Sequence, residues 1–266
     1  ITNRGTYKYS NLAYTEQPDE MMKTADRRIA PSSFERMPKL FTEEKPNDKH
    51  EYVQILGNIK NERCYRWFKK DYISPVDNLE KYKVIVPKAN GSGAIGEVLS
   101  TPLIGTPLIG TPLIGYTETY ISIGSTDSFS EAEAILKYVK TKFARTMLGI
   151  LKVTQNNPKE TWQYVPIQNF TENSDIDWSK SVHEIDLQLY KKYGLSDEEI
   201  AFIESKVKPM DGTSYYESML KMSYQDIVSA LLKKYGAAKH NYFKDTACKI
   251  KNPLVTRTNE GLFCHH

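Results

Sequence analysis

The spacing of apolar residues changes twice along the chain. Residues 1–50 keep no steady period and read as irregular, with a short helix around Ser32–Leu40. EYVQILGNI (51–59) and YKVIVPK (82–88) are rich in β-branched and aromatic residues and predict strands, and NERCYRWFKKDYI between them continues the sheet. YTETYISIG (116–124) alternates apolar and polar positions, as a half-buried strand does. From Asp127 the period becomes helical. Ser128 and Glu131 stand at capping-box spacing, and Ile135, Leu136, Val139, Phe143, Met147, Ile150 and Leu151 follow on one face. That stripe predicts a single amphipathic helix about six turns long. Lys137, Lys140, Lys142, Arg145 and Lys152 occupy its other faces.

A polar loop holding WQYVPIQNF (162–170) comes next. Ser181 with Glu184, and Ser196 with Glu199, repeat the capping-box spacing on either side of YGLSDEE. They predict two helices in a hairpin, the first ending at Gly194 and the second fading at Pro209. SYQDIVSALLKKYG (223–236) reads as another amphipathic helix. The expected fold class is α+β: a mixed sheet with one long amphipathic helix, then a C-terminal helical hairpin and a small helical extension. The expected division is 1–210 and 211–266.

Between a Gly-rich loop, KANGSGAIG (88–96), and the strand at 116–124 stands TPLIGTPLIGTPLIG (101–115), one pentapeptide written three times. A Pro in every unit excludes a regular helix and a central strand, so the expected form is an extended loop with a Gly-centred bend per unit. Identical copies point to in-frame duplication. Either copy number changes the spacing of the flanking elements, or the array is a neutral expansion of a tolerant surface loop.

Composition narrows the class. The 266 residues, 39% hydrophobic and 26% charged, suit one large or two small globular domains with a full core. No apolar run approaches the roughly 18 residues of a membrane span, so no membrane partner is expected. No signal peptide is evident and the first residue is not Met, so the chain reads as a piece of a longer protein. Cys64, Cys248 and Cys264 lack framework spacing and fit a reducing cytoplasm.

Net charge is only +3, but its distribution is uneven. Lys60, Arg63, Arg66, Lys69 and Lys70 face one acid, Glu62, and are interleaved with Tyr65, Trp67 and Phe68. Such a mixture suits a nucleic-acid surface, and a merely solvated strand pair is the alternative. Catalytic patterns are missing: there is no Walker loop, no HExxH and no serine-hydrolase spacing. Asn90-Gly91-Ser92-Gly93 lacks the Lys-Ser/Thr of a phosphate loop, though it would let backbone approach a ligand or a DNA strand. Cys248, Cys264, His265 and His266 do not make a closed zinc site, because no CxxC pair exists and adjacent His do not easily share one ion. NNPKETW (156–162) lacks the second Pro and the ring of an amino-methyltransferase motif. No metal or cofactor site is expected in this chain.

Five segments in order carry a family resemblance: GNIKNERCYRWFKKDYI, YKVIVPKANGSGAIGEVLSTPLIG, TKFARTMLGILKVTQ, YVPIQNF and EIDLQLYKKYGLSDEEIAFIE. From about Met21 to Met210 the chain resembles the C-terminal target-recognition region of TaqI-like type II restriction–modification adenine-specific DNA methyltransferases, including those fused to an endonuclease. The resemblance implies double-stranded DNA as partner. It also implies an upstream methyltransferase domain that binds S-adenosylmethionine, with magnesium in a parent that also cuts DNA. The catalytic Asn/Asp-Pro-Pro-Tyr/Phe motif has no match here, so no catalytic residue carries over. TRTNEGLFCHH (256–266) is similar to the opening of a His-Asn-His nuclease segment, with His265 and His266 as its first pair.

A DNA reader of this kind needs cations on phosphates and donors on base edges. Lys60, Lys69, Lys70, Lys88, Lys142 and Arg145 are the phosphate candidates, and Arg63, Arg66, Asn90 and Ser92 the base-reading ones. Tyr65 or Trp67 would fill the gap left by a flipped base. Two further readings stay open: a partner-binding scaffold without catalysis, and the remnant of a His-Asn-His endonuclease.

Overall fold

The computed structural model describes residues 7–89, 105–152, 154–157 and 159–210, and the backbone of 2–3, 256–258 and 261–263. The chain divides into two compact units, Ile1–Met210 and Asp211–His266. The protein is mixed α and β.

Strands β2 (Tyr52–Ile59) and β3 (Glu62–Lys69) form an antiparallel ribbon in the register Ile59↔Glu62. Its turn residues, Lys60 and Asn61, both have positive φ (50° and 67°), the geometry that matches the twist of a two-residue hairpin. β6 (Ile114–Tyr116) joins β2 in parallel and completes a three-stranded sheet, β3-β2-β6. A second, four-stranded antiparallel sheet has the order β1-β7-β4-β5, with β1 at Thr2–Asn3, β4 at Tyr82–Pro87, β5 at Leu108–Gly110 and β7 at Tyr120–Thr126.

β4 explains how these two sheets make one unit. Lys83, Val84, Ile85 and Val86 are all buried. Strand side chains alternate between faces. Val84 and Val86 accordingly join one apolar core, with Ile121 and Ile123 of β7, and Ile85 joins another, with Tyr120. The first core is closed by helices α4 (Phe129–Lys140), α5 (Lys142–Gly149), α6 (Val182–Lys192) and α7 (Asp197–Lys206), through residues such as Ile135, Phe143, Leu189 and Ile203. The second is closed by Val53, Ile55, Leu56 and Phe68 of the three-stranded sheet and by Tyr7, Tyr9, Phe34 and Phe41 from the first 50 residues. Each such side chain, fully buried, contributes about 1.5–3 kcal/mol. The second core also holds a closed polar network. Tyr7 donates to Asn78 Oδ1 (2.8 Å), Asn78 Nδ2 donates to Ser122 Oγ (3.1 Å), and the Tyr116 hydroxyl donates to Ser122 Oγ (2.9 Å).

Lys83 lies in the same strand, and among the described residues no acid pairs with it. Its Nζ donates to the carbonyls of Asn78 (2.8 Å) and Lys81 (2.9 Å) and reaches that of Thr111 (3.4 Å). Burial pushes its ammonium down to about 7.

Several expectations need correction. The single six-turn helix is two helices. Thr141, at φ −58° and ψ 147°, ends α4 and caps α5: its Oγ1 accepts the amide of Ala144 at 3.1 Å. The amides of Lys142 and Phe143 donate to the carboxylate of Asp186 on α6, at 3.0 and 2.9 Å. Those first amides of a helix have no partner within it, and Asp186 supplies one from across the core. Capping boxes do form at Ser181/Glu184 and Ser196/Glu199, and both α6 and α7 pack on α5. The first 50 residues hold two helices not foreseen, α1 (Asn11–Glu16), capped by Ser10, and α2 (Pro18–Met21), besides the expected short one, α3 (Ser33–Arg36). The run 116–124 divides between sheets, because Tyr116 ends β6 and Tyr120 begins β7.

The repeat differs most. Its second copy supplies β5 along β4, and its third supplies β6 along β2, so one pentapeptide sequence serves both sheets. Leu113, at φ 65°, turns the chain between them. Each Pro stands outside its strand, and both strands are sheet edges, where a missing amide costs little. The helix expected at 223–236 lies outside the described residues. Within 211–266 the described backbone is an antiparallel pair, β8 (Thr256–Thr258) with β9 (Gly261–Phe263).

Candidate nucleic-acid interface

The β2–β3 ribbon decides which charged residues face solvent. Arg63, Tyr65, Trp67 and Lys69 alternate onto one face of β3. Arg63 is exposed. It stands opposite Asn58, donates from Nη2 to the carbonyl of Thr106 (2.5 Å), and lies 5.7 Å over the Tyr120 ring. The Tyr120 hydroxyl donates to Asn58 Oδ1, which ties the ring under Arg63 to the ribbon. A guanidinium has five N–H donors, and Thr106 occupies one. Tyr65 is next on this face, 38% exposed, with burial pushing its phenol up and Arg63 pulling it down. Lys60 projects from the adjoining turn and is exposed. Lys60, Arg63 and Tyr65 therefore form one open corner, with a cation at the tip, a planar donor fixed from below and a ring.

The other candidates separate. Lys88 is exposed on a backbone pinned at both sides, with its amide donating to Thr119 and its carbonyl accepting from Asn157, each at 2.8 Å. Arg66 is half-buried and paired with Glu43 at 2.7 Å. Trp67 is half-buried, fixed by backbone hydrogen bonds with Thr42 and covered by the Lys45 ammonium 5.5 Å from its ring. Asn90 and Ser92 lie outside the described residues.

Four phosphate candidates have partners within the fold. Lys69 is 8% exposed, paired with Glu16 at 3.0 Å and set over the Tyr72 ring. Lys70 is shared by Glu80 (2.8 Å) and Glu51 (3.4 Å), whose carboxylates push its ammonium up. Lys142 is 9% exposed and bound to Glu204. Arg145 is 1% exposed; its guanidinium donates to the carbonyl of Lys208 (2.7 Å) and, through Nε, to those of Lys140 and Thr141. Lys142 and Arg145 tie α5 to α7 and to the residues that follow it.

Sequence reasoning missed Asn58, Thr106 and Tyr120, the residues that orient Arg63. Nothing local marks them, because Thr106 and Tyr120 reach Arg63 only through the two sheets. Among the described residues, no three His, Cys, Asp or Glu side chains gather where they could hold a metal ion. Among the same residues, no helix is long and apolar enough to cross a membrane. No family model matches the chain, and no curated protein or solved structure matches it.

Proposed function

We propose that residues 1–210 read duplex DNA as the specificity part of a restriction–modification adenine-N6 methyltransferase, with S-adenosylmethionine bound by an upstream domain. The observation that carries this reading is the corner of Lys60, Arg63 and Tyr65, which lies within the first of the five segments resembling such enzymes. Lys60 and Lys88 supply phosphate contacts, Arg63 a base-edge contact, and Tyr65 a ring for an unstacked base. The test is fluorescence anisotropy against a randomised duplex pool at low and near-physiological salt, with sequencing of the bound fraction. An enriched motif that survives the higher salt is expected. Arg63→Ala should relax preference at one position by about 1–3 kcal/mol. Lys88→Ala should weaken all sequences alike and lower the salt slope by about one. Binding that vanishes with salt and enriches nothing would overturn the reading.

A partner-binding scaffold is the second reading. Tyr164 and Ile167, at 51% and 76% exposed, favour it, since they set two apolar side chains in water within one loop. It predicts no salt-dependent duplex binding.

A further inference from the structure

The glycines of the three repeat copies share a constraint. A Cβ on Gly105 would come within 2.5 Å of Pro87 Cγ, one on Gly110 within 2.6 Å of Ile85 Cδ1, and one on Gly115 within 2.7 Å of Ile55 Cδ1. Each copy therefore ends where an added side chain would crowd a neighbouring strand, most rigidly at Gly105, whose neighbour is a proline ring. The first two of these neighbours belong to β4 and the third to β2, so residues 105–115 are seated along both sheets. Further pins fix the downstream end. The Leu113 amide donates to Leu79 O at 2.8 Å, and the Gln54 amide donates to Leu113 O at 3.1 Å.

We infer that the array is a length adjuster for the connection between β4 and β5, with three copies as the smallest number that fills every seat. Because the copies are identical, a chain with four or five presents the same residues from position 105 to position 115. All the added length then falls upstream of Gly105. Thr106 stays in place, and with it the carbonyl that holds Arg63. Removing one copy is different. Residues 106–115 are again unchanged in sequence, but Ser100 moves into the seat of Gly105, against Pro87. Removing two copies places Ser100 in the seat of Gly110, against Ile85, and puts Val98 and Leu99 where β5 has Leu108 and Ile109. This inference does not depend on DNA binding.

The experiment is thermal unfolding of the full chain carrying one to five copies, with amide hydrogen exchange at residues 108–110. Four and five copies should match three within about 1–2 °C, since lengthening a connection costs little closure entropy. Two copies should melt about 2–5 °C lower and one copy lower still. Ser100→Gly in the two-copy chain should restore the three-copy Tm, and Gly105→Ser in the three-copy chain should reproduce the loss. Equal losses for two and four copies would overturn the inference, as would failure of Ser100→Gly to restore stability. Faster exchange at residues 108–110 in the four-copy chain would also overturn it, because the added copy would then have displaced β5.

Discussion

Asp186 is a buried carboxylate that accepts the first two amides of α5, with Arg145, Glu204 and Tyr190 close to it. Burial pushes its carboxyl up to about 6, and the two amides oppose that shift without cancelling it. The folded pKa lies above the unfolded one, so the native state binds this proton more tightly. The contribution of Asp186 to stability is then greatest below about pH 4 and falls as pH rises through 6. Asp186→Asn removes the titration. Wild-type stability minus that of the variant should decline by up to about 3 kcal/mol between pH 4 and pH 7, read by denaturant unfolding at each pH. Parallel curves would show that Asp186 does not titrate in this window. The sequence displayed such groups without their partners. Lys69 meets Glu16 and Lys142 meets Glu204, each more than fifty residues away, and the Arg145 guanidinium ends on the carbonyl of Lys208. A cation read from local sequence looks free until the fold brings its partner: Lys69, Lys142 and Arg145 are buried, and Lys70 is held at the surface between Glu51 and Glu80. Lys60 and Lys88 remained open because one lies on a hairpin turn and the other just past the end of β4.

At the scale of elements, short-range signals were legible and long-range ones were not. Ser181 with Glu184 and Ser196 with Glu199 lie within one turn of each other, and both boxes form. The break at Thr141 could not be read. The apolar period runs through it from Val139 to Phe143, and half of the cap comes from Asp186 on another helix. Thr141 and Asp186 thus serve the same turn. Thr141→Ala should cost about 1 kcal/mol. Combined with Asp186→Ala, the loss should depart from the sum of the two by at least about 0.5 kcal/mol, measured by a double-mutant cycle in urea. Strict additivity would mean that the two caps act separately. The repeat misled for a different reason. Its Pro residues do exclude central strands, but Leu108–Gly110 and Ile114–Tyr116 are edge strands that begin beyond each Pro.

For the first unit as a whole, β4 joins two cores through one backbone. Ile85→Ala on one face should cost about 2–5 kcal/mol, and Val86→Ala on the other face somewhat less. Both losses should appear in one unfolding transition, seen alike by near-ultraviolet dichroism and by tryptophan fluorescence. Two separated transitions would show that each core melts alone. The β-branched and aromatic residues of YKVIVP were enough to predict a strand, although not that its two faces belong to different cores. In a random-mutagenesis library screened for soluble protein, Val84, Ile85 and Val86 should therefore accept the fewest replacements. Replacements should accumulate instead at exposed positions such as Lys60 on the hairpin turn and Lys88 just past β4.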